Sequence, residues 1–301
     1  MLKKYQSSLT LTVFFTLLIL YIINSNIIIK AFLDYTNIFI TKLFPTTFII
    51  FIFSNIFIEY QIIEKLETIF KNKTPIIYIV IMSMISGFPS GAKYIKDLLN
   101  KNYISKETAN YLIYFTHFPN PIFILGTVYK IINNKNLTYI MYLSLIISNL
   151  LLMLLIKKPK QSVKIIHKQN EKDFSTIISE SIITSLKTSI LIFGTSIFFY
   201  LITIIINKYL NLQQTTYILL NSIFDLTFTI TLSSLITNTP NRCLFLIILI
   251  SISTLSIHIQ TKSILSDTNI KYSNFLKGRI ISTILAIIIF YILRSLLDIL
   301  Y

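Results

Sequence analysis

Charge is what this sequence has least of. Only 13% of its 301 residues are Asp, Glu, Lys or Arg, against 54% hydrophobic residues and a mean hydropathy of +0.72. About a quarter of an ordinary soluble domain is charged, so this chain cannot clothe a water-facing surface. Soluble enzymes and disordered proteins are excluded on that ground. Cysteine is almost missing: Cys243 alone excludes a disulfide scaffold and a cysteine-held metal cluster. The three histidines, His117, His167 and His258, are far apart and lack H-E-x-x-H spacing, so a catalytic zinc is not expected. Of five glycines, Gly87 and Gly91 lie in no strand–helix–strand unit, so they make no dinucleotide fingerprint. No cofactor and no metal is expected.

Acids are scarcer than bases, 12 against 27, which leaves a net charge of +15. With no soluble basic domain to carry it, this excess does not point to nucleic acid. It reads instead as the lysine and arginine enrichment of cytoplasmic loops.

What the chain has in abundance is apolar length. Apolar segments cover 9–29, 43–58, 74–92, 109–132, 137–156, 189–206, 215–236, 244–259 and 279–297. At about 20 residues per crossing the hydrophobic content allows roughly eight or nine spans. Lys3 and Lys4 precede the first segment, which reads as an uncleaved helix with its N-terminus in the cytoplasm. Basic loops lie at 93–106, 157–172 and 262–279, and the 64–73 connection carries Lys65, Lys71 and Lys73. If every segment crosses once, these loops fall on both sides of the membrane. They all fall inside if two interrupted segments enter and leave on one side. The candidates are 74–92, broken by Ser86-Gly87-Phe88-Pro89-Ser90-Gly91, and 215–236, broken around Asp225-Leu226-Thr227. Irregular backbone at membrane depth is tolerated where protein or a wet cavity satisfies it.

The expected fold is therefore an all-α polytopic membrane protein with about seven transmembrane helices and two re-entrant hairpins. An N-terminal helix (1–30) precedes a first repeat (31–156), a basic cytoplasmic loop (157–173) and a second, inverted repeat (174–301). The best local match between the repeats sets Phe44-Pro45-Thr46-Thr47 against Phe193-Gly194-Thr195-Ser196. Inverted repeats with discontinuous helices recur in secondary transporters, with the substrate between the halves.

Four interruptions carry the candidate chemistry. At the tip Ser86, Gly87, Phe88, Pro89, Ser90, Gly91, the second half-helix could offer its N-terminus to an anion, with Lys93 as countercharge. A plain turn between two crossing helices is the alternative. Within Thr116-His117-Phe118-Pro119-Asn120-Pro121, two prolines free backbone carbonyls, Asn120 can donate and accept, and Phe118 could stack on a ring. A kinked helix with a packed Phe is the alternative. Asp225 is the acid deep in an apolar segment of the second half, a position that marks ion or proton paths, and Thr227 adds a hydroxyl beside it. Ser253, Thr254 and Ser256 could line a site or simply bond neighbouring helices, and His258 and Gln260 near the basic loop could gate it. Ser90 and Lys93 match the S-x-x-K spacing of serine nucleophiles, but no S-D-N or K-T-G partner follows, so an enzyme is not expected. The amphipathic stretch 93–107 could lie on anionic headgroups, or equally be a plain solvated cytoplasmic helix.

The stretch SGFPSGAKYIKDLLNKNYISKETANYLIYFTHFPNPIFILGTV, residues 86–128, resembles the sporulation integral membrane proteins of the YlbJ type, within the group carrying the nucleoside-recognition Gate domain. The family pattern S-G-[FY]-P-x-G-A-K is met by Ser86, Gly87, Phe88, Pro89, Gly91, Ala92 and Lys93. Its N-P-x-F-I-x-G is met by Asn120, Pro121, Phe123, Ile124 and Gly126. SIHIQ at 256–260, FLKGR at 275–279 and Asp225-Leu226-Thr227 resemble later elements, with Asp in place of Glu. Where the family has Gly-Gly before the S-V-H-x-Q element, this chain has Ser253-Thr254.

The resemblance implies a concentrative-nucleoside-carrier-like transporter of endospore formation. Its implied cargo is dipicolinic acid, moved from the mother cell across the outer forespore membrane, or the bacterial cell membrane is its site. Dipicolinate is a planar dianion; it would suit the 86–91 tip, Phe118 and Lys93, with Asp225 left to a coupling cation or proton. The alternatives are a nucleoside-like or other heterocyclic cargo, and a non-transporting membrane assembly factor. Membrane lipid and a second copy of the chain complete the expected partners.

Overall fold

A computed structural model describes residues 2–63, 65–66, 74–159 and 172–300 of the chain. Most of the 64–73 connection and of the 157–173 loop, His167 included, lie outside the described residues. Helices account for nearly all of what is described, and no strand occurs among those residues. Among the described residues five helical stretches are long and apolar enough to cross a membrane, one of them (Thr239–Ile264) interrupted at Ser253-Thr254. Side chains such as Leu154, 76% exposed, and Ile190, 66% exposed, face outward on them. So much exposed apolar surface suits lipid and not water.

The first two helices are α1 (Leu2–Ile23) and α2 (Ser25–Glu59). They part at Asn24, whose Nδ2 donates to the Leu20 carbonyl and to Tyr209 Oη. The structure puts the break at Asn24, and α2 runs unbroken through the expected boundary at residue 30. Lys30, Asp34 and Lys42 ride on its exposed face, where a helix needs no loop to solvate them. A π-helical turn at Phe39–Leu43 precedes Pro45, whose missing N–H and ring demand extra room in the turn before it.

Two half-helices follow, α3 (Thr74–Ser86) and α4 (Ser90–Asn100), joined by a three-residue tip. The second arm of this hairpin runs past the expected end at 92. Tyr94, Ile95 and Leu98 are fully buried in the larger core with Phe115 and Phe118. The amphipathic stretch 93–107 is therefore packed on the protein's own core, which corrects its reading as a headgroup-lying helix. Ser105 caps α5 (Lys106–Leu112) by accepting from Thr108 N. Residues 116–120 are unwound, α6 (Phe123–Ile132) resumes, and Asn134 caps α7 (Lys135–Leu155). Such side-chain caps are each worth about 1 kcal/mol.

The second half begins with α8 (Phe174–Leu210), capped by Asp173. Outside the span, the Thr176 side chain and backbone N–H groups hold the Asp173 carboxyl below the usual carboxylate range. At 1.5 Å per residue α8 is about 55 Å long, well beyond the roughly 30 Å hydrocarbon layer. The expected 189–206 segment is only its middle. Then come α9 (Gln214–Phe224) and α10 (Leu226–Leu235), hinged at Asp225, and α11 (Thr239–Ile252) and α12 (Leu255–Ile264), hinged at Ser253-Thr254. The last helix is α13 (Tyr272–Leu300).

One order thus occurs twice: long helix, pair of half-helices, interrupted helix, long helix. The two leading helices α2 and α8 pack side by side and antiparallel. Asn24 meets Tyr209, Tyr35 meets Tyr200, Phe39 meets Phe193 and Asn55 meets Ser185, so one number rises as the other falls.

Candidate functional site

The middle of α2 and α8, both half-helix tips, the first unwound segment and the first turns of α12 meet at one cavity of about 60 Å³. The first half contributes Thr46 and Thr47 from α2, Phe88 from the tip and Asn120 from the unwound segment. From the second half come Ser196 on α8, Thr227 after the Asp225 hinge, and Ser256 and Gln260 after the Ser253 hinge. Leu43, Phe123, Ile192, Leu226 and Ile257 fill the rest of the wall. Among the described residues no charged side chain lines it.

Local chemistry explains how each group is held. Asn120 Nδ2 donates to the Ser86 carbonyl (3.2 Å) and its Oδ1 accepts from Phe123 N (3.1 Å), so one side chain ties the first tip to the start of α6. Gly87 has φ +79, and a Cβ there would run into Asn120, so only glycine permits this approach. Phe88 lies flat on the His117 ring, centroids 4.4 Å apart. On the opposite wall Gln260 Nε2 donates to Ser196 Oγ (3.0 Å) and to the Ile192 carbonyl (3.3 Å).

The remaining candidates from sequence fall behind this wall. Ser86 and Ser90 hydroxyls lie 2.6 Å apart, Tyr94 Oη donates to Ser86, and Ser90 donates to the Gly87 carbonyl. Gly91 sits against the Thr116 carbonyl, where any Cβ would collide. The N-terminus of α4 therefore faces a carbonyl of the unwound segment, and Phe88 is the one tip residue on the cavity; Pro89 is not on it. Lys93 is 4% exposed and spends its charge on Asn55 Oδ1 (2.6 Å) and Asp97 Oδ2 (2.7 Å), away from the cavity. Phe118 is fully buried in the core of the first half, and its neighbour Asn120 takes the cavity position.

No family model, curated protein or solved structure matches this chain.

Asp225 is fully buried and caps α10. Its Oδ1 accepts from Tyr35 Oη (2.9 Å) and its Oδ2 from Phe228 N (2.8 Å), and the Ser196 and Thr227 hydroxyls flank the same tyrosine. Among the described residues no cation pairs with it. An unpaired carboxylate at such depth costs several kcal/mol unless hydrated, protonated or ion-bound. It is next in sequence to Leu226 and Thr227, which line the cavity.

Ser253 adopts φ +71, ψ 167, a region nearly reserved for glycine. Its hydroxyl donates to the Ile250 carbonyl (3.3 Å) and so accepts from His117 Nε2 (2.7 Å), which bonds the two unwound segments to each other. Thr254 Oγ1 lies 2.9 Å from Ser256 Oγ. His258 points away from the cavity: Nε2 donates to the Ile252 carbonyl (2.9 Å), which leaves Nδ1 to accept from Tyr272 Oη (2.6 Å). Of the two expected gate residues, Gln260 is on the cavity and His258 is not.

Sequence reasoning missed Thr46, Thr47 and Ser196 as site residues. The signal was present, since these are the hydroxyls of the matching tetrads 44–47 and 193–196. Among the described residues no group of three or more His, Cys, Asp or Glu could hold a metal.

Proposed function

We propose that the chain is a sporulation-associated membrane transporter for a small planar heterocycle, with dipicolinate moving from the mother cell across the outer forespore membrane as its cargo. Its two halves are inverted repeats, together making about seven crossings and two re-entrant hairpins in a concentrative-nucleoside-carrier-like arrangement. The observation that carries this reading is the convergence of both tips, the first unwound segment and the start of α12 on one cavity between antiparallel α2 and α8. A helix is interrupted at depth where something polar has to pass or bind. The cargo rests on the resemblance of residues 86–128 to the YlbJ-type proteins.

In this reading the Phe88 face stacks on the ring, and Asn120, Thr227, Ser256 and Gln260 bond its heteroatoms. A dry cavity of about 150 Å³ takes one benzene. At about 60 Å³ the cavity holds less than a ring, so a cargo of that size needs it to widen. Asp225 is the coupling site: occupancy by a proton or cation removes its unpaired charge and changes how α10 sits on Tyr35.

The uncharged wall favours a second reading, a neutral nucleoside-like heterocycle, because hydroxyls and amides match sugar and base without countercharge. Deleting the gene and measuring dipicolinate in mother cell and spore separately tests the first reading. Dipicolinate should accumulate in the mother cell. Normal spore dipicolinate overturns this cargo and leaves the neutral heterocycle or an assembly role.

A further inference from the structure

Arg279 is the largest fully buried side chain of the described residues, 1% exposed, two turns into α13. It reaches that depth because Gly278 lets α13 close on the Tyr114 carbonyl, where a Cβ would collide. Its Nη2 donates to the Tyr114 carbonyl (2.9 Å) and to Asn149 Oδ1 (3.0 Å), and its Nη1 lies 3.5 Å from the Ser251 carbonyl. All three acceptors are neutral. Among the described residues no carboxylate lies within pairing distance of it.

Two buried polar atoms at this spot have no hydrogen-bond partner: Arg279 Nε and the hydroxyl of Ser251, itself 3% exposed. Buried polar atoms are seldom left unbonded, and a pair of them beside an uncompensated guanidinium calls for an anionic oxygen. The place is next to the cavity wall. Phe88, which lines the cavity, stacks on His117; His117 meets Phe275 edge-on at 5.4 Å; and the Arg279 guanidinium lies 5.5 Å from the Phe275 ring centre. In sequence Arg279 closes the basic segment that carries Lys262, Lys271 and Lys277.

The geometry points to a carboxylate-binding station at Arg279 and Ser251, one layer of rings from the cavity towards the basic segment. Arg279 binds the carboxylate through Nε and the guanidinium edge, and Ser251 donates its hydroxyl to the second oxygen. The station deepens the transporter reading and rests on it for the cargo: it supplies the positive charge that the cavity wall lacks. It selects anions over neutral heterocycles of the same shape.

Calorimetric titration of the purified full-length chain in detergent tests this, with dipicolinate, benzoate and the uncharged dipicolinic diamide as probes. Wild type is expected to bind dipicolinate, and Arg279→Lys to weaken it at least tenfold, because an ammonium cannot reproduce the planar fork. Ser251→Ala is expected to weaken it several-fold while leaving every protein hydrogen bond of Arg279 in place. Diamide binding should not change in either variant. Should Arg279→Lys fail to fold, Ser251→Ala decides alone. Wild-type dipicolinate affinity in folded variants overturns the station and leaves the cargo standing. Arg279-dependent binding of benzoate without dipicolinate binding supports the station and removes the cargo. Binding of neither carboxylate overturns both.

Discussion

Replacing Ser253 separates backbone strain from hydrogen bonding at the crossing of the two unwound segments. At φ +71, ψ 167 a non-glycine residue is strained by about 1–3 kcal/mol. The Ser253 hydroxyl also bonds buried His117 at 2.7 Å, and losing that bond costs about 0.5–1.5 kcal/mol. Ser253→Ala loses the bond and keeps the strain, so it should be destabilised by that second amount. Ser253→Gly loses the bond and sheds the strain, so it should lie near wild type. The difference between the two variants isolates the strain: Gly should lead Ala by about 1–3 kcal/mol. At about 2 °C per kcal/mol for a chain of this size, that is a gap of roughly 2–6 °C in Tm. The assay is built in, because Cys243 is the sole cysteine and is fully buried, so its reaction with a thiol dye on heating reports unfolding. In an ordinary helical position Ala leads Gly by about 1 kcal/mol, so the predicted sign is reversed. Ala equal to or above Gly would refute the backbone conformation at this hinge.

Other perturbations follow from the same geometry. Gly91→Ala drives a methyl into the Thr116 carbonyl, so the folded yield should collapse; Gly126→Ala and Gly194→Ala meet nothing within 4 Å and should be within about 1 kcal/mol of wild type, both read by thiol-dye melting. Asp225→Asn should abolish coupled uptake into proteoliposomes while preserving the fold, and full uptake by that variant removes Asp225 from coupling. Tyr35→Phe deletes one donor to that carboxylate and should cost about 1.5–3 kcal/mol if Asp225 is charged, against about 0.5–1.5 kcal/mol if it is protonated, as a Tyr35/Asp225 double-mutant cycle would measure. Phe88→Ala removes the stacking face on the cavity and should raise the KM for an aromatic cargo about tenfold with the fold intact; an unchanged KM places the cargo elsewhere.

What could be read from the chain alone followed from signals that are local in sequence. Gly87 and Pro89, the prolines at 119 and 121, and a lone acid at 225 each break a helix where they stand, so both hairpin tips and one unwound segment were legible. Ser253-Thr254 was noticed for its polarity, but a serine gives no hint of a positive φ. Whatever depends on which face of a helix meets a neighbour was not legible. Lys93 resembled a free countercharge until Asn55 and Asp97 closed on it, and Phe118 resembled the stacking ring while Phe88 took that place. Lys30 and Asp34 lie between two apolar segments of the sequence, yet an exposed helix face carries them without a break. Thr46, Thr47 and Ser196 came from the middle of long helices, where hydroxyls are common and only the match between 44–47 and 193–196 distinguished them.

The central claim is that solute passes through the cavity shared by the two halves. Uptake of labelled dipicolinate into proteoliposomes holding the purified full-length chain measures it most directly. Saturable uptake above empty vesicles, lost in Asp225→Asn and weakened in Phe88→Ala, is the expected result. Uptake no greater than in empty vesicles, for dipicolinate and for nucleosides alike, under either a proton or a sodium gradient, would contradict it.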